Sequence, residues 1–222
     1  MTRVVVDIET VGFDFEKLDE KSREYLLKYG ETEEEKADIK KRLGLYPLTG
    51  EIVAIGMLNP DTMKGCMLFQ NNGGQEEKLE ENGIVFESGG EKEILEKFWD
   101  RLRSYDQVIT FNGRGFDAPY LMIRSAIHKV RASKNLMGYR YDARVHCDLM
   151  EQLNFYGATR KYTLDFYAKS FGIKSSKDAG VDGSMVGDLY KEGKFLDIAR
   201  YCVRDLVTTK DLYDVWDKYI KF

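Results

Sequence analysis

A chain of 222 residues with 43% hydrophobic and 32% charged side chains is long enough to bury a core, and its size suits one domain with at most an insertion. Its formal charge of −4 excludes the basic composition of a domain that binds nucleic acid through bulk charge, so a polyanion would have to be met by a local basic patch or by metal ions. Three scattered cysteines (Cys66, Cys147 and Cys202) with no CxxC argue against a zinc ribbon or disulfide framework and for buried free thiols in a reducing compartment.

The chain enters a strand without a basic, apolar or cleavable leader pattern. No run reaches the ~18 apolar residues of a membrane span, so a cytoplasmic protein is expected. Residues 3–8 form a Val/Ile-rich strand that suits burial on both faces. It ends in Asp7-Ile8-Glu9-Thr10. Residues i and i+2 of a strand face one side, about 6.5 Å apart, so Asp7 and Glu9 make a double-carboxylate face. Buried together without a cation they would repel, and one would take up a proton. Two Mg²⁺ ions roughly 4 Å apart remove that conflict. Asp14-Phe15-Glu16 repeats the spacing in a polar, helix-prone stretch and is set aside.

Residues 15–43 are charged and helical in pattern, with a capping box at Thr32–Glu35. Pro47 and Gly50 break the chain. Strands follow at 51–58 and 65–69, then a polar loop over 71–83, expected to be mobile, and a short strand at 84–86. Residues 91–105 read as an amphipathic helix, 107–111 as a strand, 112–115 as a tight loop and 117–127 as a helix. Asp117 precedes Ala118-Pro119, and taken alone it suits a helix N-cap. The alternative is a third metal-facing carboxylate, with Asn112 and Phe116 on the same turn touching a nucleotide by hydrogen bond and by stacking.

Residues 145–149 read as a strand on which His146 and Asp148 share a face while Cys147 points away. That suggests strand-end packing, with Asp148 in reserve as a secondary carboxylate. Helices follow at 162–171 and from 196 to about 219. On the last, Tyr201 and Asp205 lie one turn, ~6 Å, apart, so the carboxylate can close a metal site and the phenol can orient a water. Tyr213 and Asp217 share this spacing but lie about 120° around the helix and near a terminus expected to fray, so the earlier pair is preferred. Arg124, Lys129, Arg131, Lys134, Arg140 and Arg144, interleaved with Tyr139 and Tyr141, form a candidate single-strand grip. Arg160-Lys161-Tyr162 forms a second. Strands first, then strands alternating with helices, predict an α/β fold with a mixed sheet.

Together DIET, TFNGRGFDAPYL and YCVRDLVTTKDLY, in that order, resemble the three exonuclease motifs of the DEDD superfamily. The middle motif is most similar to the proofreading domain of B-family DNA polymerases. GLYPLTGEIVAIGML and VHCDLM…YTLDFYAKSFGI resemble the stand-alone predicted exonucleases related to that domain. The resemblance covers nearly the whole chain. It implies a ribonuclease H-like fold with a mixed central sheet flanked by helices, in a single domain over residues 1–222 with a helical insert at about 15–43. It implies Asp7, Glu9, Asp117 and Asp205 as the acidic quartet on two Mg²⁺ (or Mn²⁺) ions, and Tyr201 as the fifth catalytic residue. The His subtype needs histidine where this chain has Arg200, so the Tyr subtype is expected. Thr10, Asn112 and Phe116 are the expected substrate contacts. The implied activity is 3'-5' hydrolysis of single-stranded DNA ends to 5'-mononucleotides, in repair or end trimming. An RNA 3'-end exoribonuclease and a non-catalytic nucleic-acid-binding module on the same fold are the alternatives.

Overall fold

Val4, Val6 and Ile8 point to one side of the first strand and Val5 and Val11 to the other. Both sets are buried, which requires a position inside a sheet covered on both faces. The structure is a computed structural model describing residues 1–74, 77–180 and 182–221. The seven strands are β1 (Arg3–Gly12), β2 (Gly50–Leu58), β3 (Gly65–Gln70), β4 (Lys78–Glu81), β5 (Ile84–Gly89), β6 (Gln107–Thr110) and β7 (His146–Asp148). They lie in the order β4-β5-β3-β2-β1-β6-β7. The β1–β2, β2–β3 and β4–β5 pairs are antiparallel. The β3–β5, β1–β6 and β6–β7 pairs are parallel, so the sheet is mixed as expected.

The helices are α1 (Glu20–Leu27), α2 (Glu33–Lys41), α3 (Glu91–Leu102), α4 (Asp117–Ile127), α5 (Leu149–Leu153), α6 (Leu164–Ser170), α7 (Val186–Lys191) and α8 (Phe195–Tyr219). On one face α8 packs Cys202, Leu206, Leu212 and Trp216 against Val5, Ala54 and Met67. On the other, α3 packs Ile94, Leu95, Phe98 and Trp99, and α4 packs Leu121, against Val4, Val6 and Leu68. Gly56 on β2 sets the approach of α8. A Cβ there would lie 2.5 Å from Leu206 Cδ1 and 3.2 Å from Cys202 Sγ.

The insert carries α1 and α2, neither with a buried residue, and the capping box at Thr32 forms with both of its hydrogen bonds. It is tied to the sheet at Gly44, whose carbonyl accepts from Thr10 Oγ1 at 2.7 Å and from the Tyr120 hydroxyl at 3.1 Å. Two sequence expectations fail. The stretch 71–83 is not all loop, because Lys78–Glu81 is an edge strand whose charged KLEE sequence hides it. Residues 75 and 76 of that stretch lie outside the described residues. The later part of α8 is not frayed either, since Tyr213 and Trp216 are buried. Among the described residues no helix is long and apolar enough to cross a membrane.

Candidate active site

β6 pairs with β1 only from Arg3 to Val5, so beyond Val5 one edge of β1 loses its neighbour. Asp117 fills that gap, its Oδ1 accepting from the Ile8 N–H at 3.1 Å. Phe116 occupies the N-cap of α4, and Asp117 is the first helical residue with its carboxylate turned to β1. The N-cap reading of Asp117 is therefore corrected. Asp7 and Glu9 share the opposite face of β1 from Ile8, looking toward α8. Asp7 sits opposite Gly56 and Glu9 opposite Ala54, and the register slips between Glu9 and Thr10. Such irregularities re-aim side chains beside functional sites.

From α8, Cys202 donates its thiol to Asp7 Oδ2 at 3.4 Å. The Tyr201 and Ser176 hydroxyls favour the charged form of the Asp205 carboxylate. One ligand atom each from Asp7, Glu9 and Cys202 lie within 4.8 Å of one another. The sequence reading missed Cys202 as part of this site. The available signal was its position three residues before Asp205, on the same face of a helix.

Burial and mutual repulsion set the electrostatics of these carboxylates. Burial, then the charges of Asp205, Asp117 and Glu9, push Asp7 well above the usual carboxylate range. Burial and the charges of Asp205 and Asp117 do the same to Glu9. Burial raises Asp117 to about 7. It raises Asp205 too, against the Ser176 and Tyr201 hydrogen bonds. Burial, followed by the Asp205 and Glu9 charges, also raises the Tyr201 phenol. Among the described residues none of the four carboxylates is in an ion pair, and the carboxylate of Glu9, a residue only 8% exposed, accepts no hydrogen bond.

The remaining sequence candidates have other attachments. Thr10 holds Gly44. Asn112 adopts a left-handed conformation (φ 62°), and its N–H donates to Asp148 Oδ1 at 2.9 Å. Phe116 packs on Tyr120 with ring centres 5.4 Å apart. Asp148 also accepts from the Arg114 and Met150 N–H groups, at 2.9 and 3.0 Å, so it anchors the 112–115 turn. His146 is buried between Thr110 Oγ1 and the Leu136 carbonyl, and desolvation lowers it to about 4.

Part of the expected basic grip is also corrected. Arg124 is buried on Glu91 at 2.5 and 2.8 Å and cannot meet a strand. Tyr139, Tyr141 and Arg144 line a cleft of about 910 Å³ with Arg3, Tyr213 and Trp216. Trp216 is eleven residues beyond Asp205, or about 16 Å along the helix. The second cluster reaches the end of β6. Tyr162 stacks on Phe166 at 4.6 Å under Arg160, and Tyr167 bridges Tyr162 to Phe111 at the end of β6.

A mixed sheet covered by helices on both faces, with carboxylates gathered where β6 parts from β1, makes this a ribonuclease H-like α/β protein. Over 97% of the chain the fold matches the family B DNA polymerase of the hyperthermophilic archaeon Pyrobaculum calidifontis, with a TM-score of 0.60, 19% identity and 24% of that chain covered. Residues 51–221 match the family described as predicted 3'-5' exonuclease related to the exonuclease domain of PolB, and the chain belongs to that family. The matched segment contains Asp117, Tyr201 and Asp205, whereas Asp7 and Glu9 precede it.

A DNA polymerase of Methanocaldococcus jannaschii is 34% identical over 101 residues, which is 39% of this chain and 6% of that protein. DNA polymerase 1 of Saccharolobus solfataricus is 29% identical over 134 residues, which is 54% of this chain and 15% of that protein. The chain thus spans a small part of the polymerases it resembles.

Proposed function

We propose that this chain is a metal-dependent 3'-5' exonuclease that shortens single-stranded DNA from its 3' end and releases 5'-mononucleotides. The observation that carries the reading is the crowding of four carboxylates, the buried Glu9 and Asp117 and the half-buried Asp7 and Asp205, from β1, α4 and α8, with no cationic side chain paired to any of them among the described residues. Hard oxygen donors crowded in this way suit Mg²⁺ or Mn²⁺, which would relieve a repulsion the protein leaves unrelieved. Two such ions held by the quartet supply Lewis acidity and a water of lowered pKa.

Asp7 is the central ligand in this reading, because Glu9, Asp117 and Asp205 all act on it. Tyr201 stays protonated, since burial and neighbouring carboxylates oppose its ionisation. It therefore works by holding Asp205 and the attacking water in line, and not as a base. The two histidines are engaged elsewhere, His128 with Glu91 and His146 inside the core, which supports the Tyr subtype. Asn112 and Phe116 contact the terminal nucleotide from the turn that carries Asp117, and Thr10 flanks it from β1. DNA is favoured over RNA because the similar curated proteins are DNA polymerases.

End-labelled single-stranded DNA, duplex DNA and RNA, each incubated with Mg²⁺, Mn²⁺ or EDTA, test this proposal. The expected result is a ladder shortening from the 3' end of single-stranded DNA, abolished by EDTA. Internal fragments, or digestion indifferent to EDTA, would overturn it.

A further inference from the structure

Arg204 precedes Asp205 on α8, and its guanidinium lies over the Tyr201 ring, 5.5 Å from the ring centre. Its Nε and Nη2 are shielded from solvent and have no hydrogen-bond partner. Among the described residues it is in no ion pair, unlike Arg101 and Arg114, which also carry an unsatisfied nitrogen but reach Glu87 and Glu151. Its field reaches Asp205, as does that of Lys177, an exposed side chain with no ion pair among the described residues. Lys177 stands on the turn Ser176–Ala179, whose first residue also favours the charged form of Asp205. Gly183, a few residues further on, faces the phenol of Tyr201, and a Cβ there would lie 3.8 Å from the hydroxyl.

Two cations from separate elements therefore act on Asp205, and one of them has N–H donors left over. A guanidinium is a planar fork suited to phosphate oxygens, and an unused buried donor beside a site calls for an acceptor brought by the ligand.

We infer that Arg204 and Lys177 form a phosphate subsite beside the metal-binding carboxylates, taking a backbone phosphate of the single strand. The inference rests on the reading of the carboxylate cluster as a site for a nucleic-acid end. It adds the residues that grip the backbone, a role the sequence reading gave to clusters elsewhere. Arg204 also orders the Tyr201 ring by stacking, so binding of the strand and placement of the phenol are joined in one side chain.

The test is fluorescence anisotropy of a fluorescein-labelled oligo(dT) strand, with Ca²⁺ in place of Mg²⁺, titrated over a range of salt concentrations. Arg204→Ala should weaken binding about tenfold and flatten the plot of log affinity against log salt by about 0.7, the value of one phosphate contact on a single strand. Arg204→Lys should recover most of that slope, and Lys177→Ala should flatten it in the same direction. Lys21→Ala, on α1 of the insert, should leave affinity and slope as they are. Arg204→Ala protein that remains folded by circular dichroism and binds with wild-type affinity and slope overturns the subsite, while wild-type digestion still upholds the proposed function. Wild-type protein that binds no single strand overturns both.

Discussion

Asp7 is the side chain on which the site turns. Its half-buried carboxylate is crowded by three others, and the only donor to its side-chain oxygens among the described residues is the weak thiol of Cys202. Without a cation, that arrangement opposes folding. Asp7→Ala is therefore expected to abolish digestion, by about 10³-fold or more. It should also raise the melting temperature of the metal-free protein at neutral pH, because one member of a repelling group is gone. A melting temperature that falls would mean Asp7 is stabilised by a partner absent from this account. Tyr201→Phe removes a positioning hydroxyl and no ligand, so a loss of about 10- to 100-fold is expected in the same digestion assay. A loss as deep as that of Asp7→Ala would assign Tyr201 a larger part. All five of these residues could be found in the sequence, since strand spacing pairs Asp7 with Glu9 and helix spacing pairs Tyr201 with Asp205. Asp117 was legible as a residue and misread in its local role. Intrinsic preference places aspartate at an N-cap, whereas here the unpaired Ile8 N–H draws the carboxylate away. The Cys202 contact was not legible, because its partner is 195 residues away and thiols carry no spacing signature here.

At the scale of elements, α8 brings Tyr201 and Asp205, two of the five candidate residues, and Gly56 lets it come close. Gly56→Ala would place a methyl group 2.5 Å from Leu206 Cδ1 in a core with no spare volume. The expected cost is about 1–3 kcal/mol in denaturant unfolding, together with reduced activity as Asp205 moves from Asp7. Unchanged stability and activity would show that α8 is not held at this crossing. The 112–115 turn has its own anchor in Asp148, which accepts three backbone N–H groups. Asp148→Ala leaves those donors unmade and should cost about 2–4 kcal/mol, with activity falling as Asp117 loses its fixed base. Wild-type stability in this variant would return Asp148 to the list of candidate metal ligands. The long amphipathic segments, α3, α4 and α8, were legible from their apolar stripes. β4 was not, since a four-residue edge strand with three charged residues and only Leu79 packed on the core is too short to pattern. α5 and α7, of five and six residues, are shorter than two helical turns and show too little periodicity to read.

For the whole molecule, the consequence of gathering four carboxylates is a stability that depends on pH and metal. Unfolded aspartate titrates near 3.8, whereas Asp117 in the fold titrates near 7, and Asp7, Glu9 and Asp205 are also raised. Over that interval the folded metal-free protein holds protons that the unfolded chain has lost. Stability is therefore greatest in mild acid and falls as pH rises through about 7. Differential scanning calorimetry in EDTA should give a lower melting temperature at about pH 8 than at about pH 5, and Mn²⁺ should restore the loss at the higher pH. A melting temperature that rises with pH in EDTA would contradict the coupling. The sequence also conveyed the mixed sheet, through strands that come first and then alternate with helices. The insert was legible as helical because its charges and capping box are local, and its attachment at Gly44 was not, because Thr10 and Tyr120 reach it from distant segments.

The most direct measurement is anomalous diffraction from a crystal of the wild-type protein soaked in Mn²⁺. Two anomalous peaks about 4 Å apart are expected, ligated between them by Asp7, Glu9, Asp117 and Asp205. Peaks that leave Asp117 or Asp205 outside the ligand shell, or no peak at all among these four carboxylates, would contradict the proposed metal site.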